Sequence, residues 1–238
     1  MPASLKNRKV LVIGRGSGIA QAITLSILDV GGTVVAAGRD PGALTAAHSG
    51  SHVTVERVDL TDEASVAALA ARSGTVDHVV STASARARGT AADLGHDTVL
   101  NSFDTKVVGP ILLAKHFAPR MPEDGSFVFF SGASARKPMP GMLAVGATNA
   151  AVDALTRGLA VELAPIRVNA VSPGTIDTGA YDGLGDRRKA ELFAARAAGS
   201  PARRIGRSDE VADAVLFALT STFTTGVALS VDGGESLV

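Results

Sequence analysis

Short apolar runs rich in β-branched residues alternate along the chain with longer segments whose apolar residues recur every three or four positions. The short runs read KVLVI, TVVAA, HVTVERV, DHVVS, SFVFFS, IRVNAV and VALSV. In the first long segment Ile19, Ile23, Ile27 and Val30 fall on one helical stripe, and the Gly-Gly pair that follows ends the helix. This alternation predicts βαβ units around a buried parallel sheet of seven strands.

The second half of the chain predicts two longer helices and one polar segment. One helix is expected from Ala147 to Leu163, and another from Asp209 to Leu219 before the last strand. Residues 179–207 are polar and rich in Gly and Arg, so we expect an exposed helical lobe that can act as a lid. No repeat or linker interrupts the pattern, and residues 1–238 are predicted to form one domain.

Composition narrows the class of protein. Of the 238 residues 46% are hydrophobic, which is enough for one large α/β core. Lys and Arg number 23, as do Asp and Glu, so the zero net charge predicts neither a nucleic-acid partner nor an anionic membrane surface. The chain has no Cys, which excludes disulfides and fits a reducing compartment. The first apolar run is too short for a signal-peptide core, and no run of about 18 apolar residues follows, so we expect a cytoplasmic protein.

Glycines follow the first predicted strand in the sequence KVLVIGRGSGIA. Gly14, Gly16 and Gly18 stand between that strand and the first helix, where the backbone can approach a pyrophosphate held by the helix N-terminal amides. The form is Gly-x-x-x-Gly-x-Ala, ending at Ala20, and a plain glycine turn is the alternative. Its place after an N-terminal strand favours nucleotide binding.

The loop resembles the Thr-Gly-x-x-x-Gly-x-Gly loop of the short-chain dehydrogenase/reductase family, with Ile13 for the threonine and Ala20 for the last glycine. Further stretches that resemble the family are Asp59-Leu60, residues 81–84 (Ser-Thr-Ala-Ser), residues 172–178 (Ser-Pro-Gly-Thr-Ile-Asp-Thr) and residues 231–234 (Val-Asp-Gly-Gly). The resemblance runs from about Lys6 to the C-terminus. Taken singly, Asp59 reads equally well as a solvated turn residue and Pro173-Gly174 as a plain strand exit.

The resemblance implies a Rossmann-like doubly wound α/β fold. Its parallel sheet has the order 3-2-1-4-5-6-7, with helices on both faces, and the family's helix pairs imply a homotetramer, with a dimer next. The residues that the resemblance assigns to a bound nicotinamide cofactor are Gly14, Arg15, Gly16, Ser17, Gly18, Ile19, Asp59, Leu60, Ala83, Asn149, Pro173, Gly174, Ile176 and Thr178.

The end of the second strand indicates which nucleotide binds. An NAD site needs a carboxylate there for the ribose 2′-hydroxyl, whereas this strand ends TVVAAGRD, with Arg39 at that place. A guanidinium pairs with a 2′-phosphate, and Arg15 can add a second positive charge, so the sequence predicts NADP(H). The alternative is that Arg39 only meets solvent while Asp40 binds the ribose.

The residues that carry the family's proton chemistry are missing. In the family a tyrosine protonates the substrate oxygen, a lysine lowers the tyrosine's pKa and binds ribose, a serine holds the substrate, and an asparagine anchors a water relay. The matching positions here hold Val145, Asn149, Gly132 and Lys106, and the one tyrosine, Tyr181, falls in the lobe. A cation and an amide have thus exchanged places, which leaves Lys106 beside the pocket as candidate proton donor. The alternative is that Lys106 reaches solvent and the pocket has decayed.

Other polar candidates lie on the segment SGASARKPMPG. Ser131 or Ser134 can approach a substrate, and Arg136 and Lys137 can bind an acidic substrate or only solvate the loop. We therefore predict Lys106, Ser131 and Asn149 as catalytic residues. The five histidines show no metal-ligand spacing, and no metal site is predicted.

Three functions are compatible with these residues. The first is an NADP(H)-dependent oxidoreductase with a non-standard active site that transfers hydride to a small carbonyl, enone or imine. The second is a catalytically inactive nucleotide-binding sensor or scaffold subunit. The third is a non-redox catalyst that binds the nucleotide only structurally.

Overall fold

The computed structural model describes residues 4–238. Nine strands occur in this range, and in chain order they are β1 Lys9–Ile13, β2 Thr33–Gly38, β3 Val53–Arg57, β4 His78–Ser81, β5 Ser126–Phe130, β6 Arg167–Pro173, β7 Ile176–Asp177, β8 Gly206–Arg207 and β9 Ala228–Val231. Seven of them form one parallel sheet in the order β3-β2-β1-β4-β5-β6-β9. The predicted doubly wound α/β fold and strand order are confirmed.

The count of strands needs one correction. Strands β7 and β8 pair with each other in parallel, outside the main sheet, with Ile176 opposite Gly206. Each has two residues, which is too short for any alternation of apolar and polar positions to be visible in the sequence. They join the segment after β6 to the end of the predicted lobe.

Eight α-helices are present in the described range: α1 Gly18–Asp29, α2 Pro41–Ala47, α3 Glu63–Ser73, α4 His96–Phe103, α5 Gly109–Phe117, α6 Leu143–Glu162, α7 Asp186–Ala198 and α8 Ser208–Thr220. A π-helical segment, Asp104–Val108, joins α4 to α5. The prediction placed the start of α6 at Ala147, but the helix begins at Leu143, directly after Gly141 at φ +74° and the N-cap Met142. Helix α8 lies within one residue of its predicted bounds at each end.

The core has two layers, one on each face of the sheet. Along β1, Leu11 and Ile13 pack toward α3, α5 and α6, while Val10 and Val12 pack toward α1 and α8. All four are at most 2% exposed, which explains why this strand reads as a continuous apolar run. Burial of each side chain contributes about 1.5–3 kcal/mol.

The lobe at residues 179–207 is attached loosely to this core. None of the residues of α7 is fully buried, although the Tyr181 and Phe193 rings meet edge to face at 5.5 Å between centroids. Arg196 of α7 lies 3.6 Å from Glu235, which also accepts a hydrogen bond of 2.7 Å from the Thr175 amide. Among the described residues no helix is both long and apolar enough to cross a bilayer.

Candidate active site

The glycine loop after β1 meets the segment after β6. Gly18 adopts φ +59°, a left-handed conformation that favours glycine, and a Cβ there would lie 3.0 Å from Thr178 Cβ and from the Thr178 carbonyl oxygen. The fold therefore brings together two stretches that the sequence assigns separately to one cofactor. Ile176 is 6% exposed, and Pro173, Gly174 and Thr178 are partly buried beside it.

The N-terminus of α1 is available to an anion. Ser17 occupies the N-cap position with extended backbone, but its side chain makes no capping hydrogen bond, and the first turn contains no acidic residue. The first amides of a helix have no partner within the helix, and the helix dipole favours negative charge there. Arg15, two residues before Ser17, is exposed. A dinucleotide pyrophosphate fits this arrangement.

The carboxyl ends of β2 and β3 form a positively charged rim. A Cβ at Gly38 would lie 2.7 Å from the Gly14 carbonyl oxygen, so the end of β2 lies directly against the glycine loop. Arg39 follows it, is exposed, and has no carboxylate partner among residues 4–238. Asp40 caps α2 by accepting a 2.9 Å hydrogen bond from the Ala43 amide, which commits one of its oxygens. Arg57 pairs in register with Gly38 and adds a second guanidinium that the sequence pattern did not indicate.

Asp59 lies among these charges. Its Oδ1 accepts hydrogen bonds from the Thr61 amide at 3.0 Å and the Thr61 hydroxyl at 2.8 Å. These bonds, with smaller contributions from the charges of Arg39 and Arg57, lower the pKa of Asp59. Leu60 is 5% exposed and packs in the core, where a Cβ at Gly109 would touch it, while Ala83 is partly buried against the same core.

The three residues predicted to be catalytic form a connected cluster. The Lys106 ammonium donates to the Ser131 carbonyl oxygen at 3.3 Å, and the Ser131 hydroxyl donates to the Asn149 carbonyl oxygen at 3.0 Å. The Asn149 side-chain amide donates to the Ser134 hydroxyl at 2.8 Å. The π-helical segment, α6 and the loop after β5 thus meet at this point, where π-helical turns often mark functional sites.

Lys106 is buried, with 7% of its surface exposed, so it does not extend into solvent. Burial, and to a smaller extent the positive charge of Arg86, lower the pKa of Lys106 to about 7, while the negative charge of Asp153 opposes the shift. An amine with that pKa exchanges protons readily near neutral pH. Neither Arg86 nor Asp153 was identified from the sequence, because neither falls in a recognisable motif.

One face of α6 carries unpaired polar atoms. Asn149 Oδ1, Asp153 Oδ1 and Thr156 Oγ1 are buried and have no hydrogen-bond partner in the described part of the chain. Val145 lies one turn before Asn149 and is 5% exposed. An unsatisfied buried acceptor is unfavourable by about 1–3 kcal/mol, so this face is one that a bound hydroxyl or a water can stabilise.

Gly132 lies against the Asn149 side chain. A Cβ at position 132 would be 2.7 Å from Asn149 Nδ2 and 3.3 Å from its Cγ. No side chain can therefore be added at position 132 unless the amide moves. Glycine at position 132 therefore leaves free the space that the Asn149 side-chain amide occupies.

The loop after β5 has structural contacts through Arg136. Arg136 donates to the Ser172 hydroxyl at 3.0 Å and the Ser230 hydroxyl at 2.8 Å, and lies 3.7 Å from Asp153. It joins β6 to β9 through these hydroxyls while part of its side chain stays exposed, a structural role that the sequence did not indicate. In residues 4–238 no group of three His, Asp or Glu side chains is placed to hold a metal ion.

Known proteins resemble this chain in sequence and in fold. A family model described as enoyl-(acyl carrier protein) reductase matches residues 13–236. The chain is 33% identical over 253 residues to a cis-4-hydroxycyclohexanecarboxylate dehydrogenase from Sinomonas cyclohexanicum, and all of both chains is covered. It is similar to the structure of a reductase/Diels-Alderase from Malbranchea aurantiaca, with a TM-score of 0.91, 28% identity and 98% of each chain covered. A small-chain dehydrogenase in complex with NADPH has a TM-score of 0.82 and 31% identity, with 97% of this chain and 99% of that one covered.

Proposed function

Because the chain belongs to the short-chain dehydrogenase/reductase family of oxidoreductases, we propose that it transfers a hydride between NADP(H) and a small carbonyl, enone or imine substrate. The observation that carries the proposal is the buried Lys106 ammonium beside Ser131 and Asn149, with its pKa lowered to about 7. We infer further that the site lacks the proton-donating tyrosine of its family, because Val145 stands at that position.

The residues around the glycine loop fit NADP(H). The uncapped α1 amides and Arg15 would hold the diphosphate, and Arg39 with Arg57 would pair with the 2′-phosphate. The further positions proposed to contact the nucleotide are Gly14, Gly16, Ser17, Gly18, Ile19, Asp59, Leu60, Ala83, Asn149, Pro173, Gly174, Ile176 and Thr178. The cofactor, when bound, supplies the hydride. The similar dehydrogenase with NADPH bound supports this choice.

Lys106 supplies the proton in the direction of reduction. Its Nζ gives a proton to the substrate oxygen or nitrogen, and the neutral amine then regains one from water. The Ser131 carbonyl orients the amine by accepting one of its hydrogens at 3.3 Å. Burial favours the neutral form, so the ammonium is a stronger acid here than in water. The lobe at residues 179–207 covers the site as a lid and excludes water.

Absorbance measurements of NADPH consumption with a panel of ketones, enones and cyclic imines test the proposal. The panel includes 4-oxocyclohexanecarboxylate, the ketone that corresponds to the substrate named for the Sinomonas relative. Turnover on at least one member supports the oxidoreductase. Tight NADPH binding in calorimetry with no turnover on the whole panel would favour the inactive sensor or scaffold instead.

A further inference from the structure

The carboxylate of Glu235 lies between the segment after β6 and the lobe. Glu235 begins a 3-10 turn that follows β9, and it is 6% exposed. Its Oε2 accepts a hydrogen bond of 2.7 Å from the Thr175 amide, and its Oε1 accepts one of 3.2 Å from the Thr175 hydroxyl. On the other side, the Arg196 guanidinium of α7 lies 3.6 Å from Oε1. One buried carboxylate is therefore shared by two segments of the chain.

Gly174 leaves free the space that this carboxylate occupies. A Cβ at position 174 would lie 2.7 Å from Glu235 Oε2 and 2.8 Å from Asp232 Cβ. Any side chain at this position would therefore push the carboxylate away from the Thr175 amide. Glycine is required at position 174 because Glu235 approaches the backbone so closely.

Helix α7 of the lobe is held to the rest of the protein through side chains, and none of its residues is fully buried. Arg196 meets the buried Glu235. Lys189 lies 3.1 Å from Asp177, which is exposed. Salt and solvent weaken an ion pair less when one of its partners is buried. The position of α7 should therefore depend more on Arg196 and Glu235 than on the exposed pair.

A cavity of about 240 Å³ lies beside the Glu235 carboxylate. Its walls include Thr175, Arg196, Ser200 and Asp232. The space is large and polar enough for several water molecules, so water can replace the guanidinium when α7 moves away. The lobe can therefore separate from Glu235 while Thr175 stays bound to it.

Thr175 connects this carboxylate to the proposed cofactor site. Its amide donates to Glu235, and its carbonyl oxygen accepts a hydrogen bond of 3.0 Å from the Gly206 amide. Three residues later, Thr178 lies where a Cβ at Gly18 would touch it, so the same short segment reaches the glycine loop. A displacement of Thr175 should therefore alter the segment that meets the start of α1.

We propose that Glu235 is a positioning residue, whose carboxylate holds Thr175 in place for the cofactor and docks the lobe through Arg196. The lobe then docks on the same carboxylate that orders the segment after β6. This inference rests on the proposed function, because it takes residues 173–178 as part of the NADP(H) site. Glu235 has two separable roles: it accepts hydrogen bonds from Thr175, and it supplies the counter-charge for Arg196.

Amide hydrogen exchange of the cofactor-free protein separates the two roles. In Glu235→Gln the side-chain oxygen still accepts from the Thr175 amide, but the counter-charge is lost. We expect exchange in α7 to become about tenfold faster, while exchange at Thr175 stays within about threefold of the wild-type rate. In Glu235→Ala, exchange in both regions should become at least about tenfold faster.

Two variants on α7 complete this experiment. Arg196→Met should reproduce the effect of Glu235→Gln on α7 and leave Thr175 protected, because it removes the other half of the same pair. The matched control is Arg187→Gln, which removes an exposed ion pair within α7 and should change exchange in either region by less than about twofold.

Kinetic measurements test the same separation in the working enzyme. With a substrate identified from the panel, Glu235→Gln should raise the substrate KM by about 3–10-fold and leave NADPH affinity within about twofold of the wild-type value. Glu235→Ala should also weaken NADPH binding, by about threefold or more, because Thr175 is released as well. A merely structural residue would lower the unfolding temperature without this difference between the two variants.

Two results would overturn the proposal. One is unchanged exchange of α7 in both Glu235→Gln and Arg196→Met. The other is an equal loss of protection in α7 and at Thr175 in Glu235→Gln, with a matching fall in unfolding temperature, which would make Glu235 a structural residue only. Absence of NADPH binding to the wild-type protein would instead refute the proposed function, and exchange in the cofactor-free protein would still decide whether Glu235 docks the lobe.

Discussion

At the scale of single residues, nucleotide choice depends on the guanidinium at the end of β2. Arg39 is exposed, adjoins the glycine loop through Gly38, and has no carboxylate partner in the described range. We predict that Arg39→Ala weakens NADPH binding by about 1.5–3 kcal/mol, the contribution of a hydrogen bond to a charged group, and NADH binding by less than about 0.5 kcal/mol. Fluorescence titration measures both affinities. Equal affinities of the wild-type protein for NADPH and NADH would contradict the assignment.

The contact between Gly132 and Asn149 gives a prediction that does not depend on function. Gly132→Ser places a Cβ 2.7 Å from the Asn149 amide nitrogen, and we expect it to destabilise the fold by about 1–3 kcal/mol. In Asn149→Ala the same serine should be tolerated much better, because the clashing group is gone. Urea unfolding of the two single variants and the double variant measures the coupling. Simple additivity would show that the two positions do not compete for space.

Residue patterns predicted part of this site and missed another part. Lys106, Ser131 and Asn149 could be found because each stands at or next to a position that carries chemistry in a resembling family. No such position marked Arg86, Arg57 or Asp153 in the sequence. They become relevant only because a loop, a strand end and one face of α6 meet in three dimensions, which no local pattern encodes.

At the scale of elements, the pairing of β4 with β5 contains a buried titratable contact. His78 is 3% exposed, and its Nδ1 lies 2.9 Å from the hydroxyl of the fully buried Ser126. Burial lowers the pKa of His78 to about 4, with smaller effects from neighbouring charges such as Asp77 and Arg167. This is a neutral histidine in the interior of the sheet.

Acid stability should follow from that contact. Between the folded pKa of about 4 and the ordinary histidine pKa of 6.5 the unfolded chain binds more protons, so stability is fully present above 6.5 and falls as the pH drops toward 4. We predict a loss of about 2–3 kcal/mol over this range in urea unfolding. His78→Gln should lose less over the same range. An identical pH dependence in the variant would assign the acid sensitivity to other groups.

The boundaries of elements were predicted less well than their order. The alternation of apolar runs predicted the seven-stranded sheet because inner strands such as β1 and β2 are buried on both faces and leave a continuous apolar run. The start of α6 and the strands β7 and β8 were missed. A glycine at positive φ before α6 and two-residue pairings outside the sheet are set by tertiary contacts, which leave no periodic signal.

At the scale of the whole molecule, several helix faces expose apolar side chains. Ile111 on α5 is 44% exposed, and on α6 Leu143 and Val161 are 61% and 79% exposed. Such side chains on neighbouring helices are typical of surfaces that pack against other copies. We predict a homotetramer, with a dimer as the next possibility, and sedimentation at micromolar concentration measures it. Val161→Lys should lower the assembly state if α6 is at an interface. A wild-type monomer would contradict this prediction.

If Lys106 is the proton donor, its titration should determine how the rate of reduction depends on pH. The measurement is kcat/KM for reduction, from pH 5 to 9, in the wild-type protein and in Lys106→Met. The wild-type value should fall as the pH rises through about 7, because the free enzyme then loses the ammonium form. Lys106→Met should lower turnover by about 10²–10⁴-fold, lose this pH dependence and bind NADPH as before. Turnover of Lys106→Met within about threefold of the wild-type value, with the same pH profile, would exclude Lys106 as the proton donor.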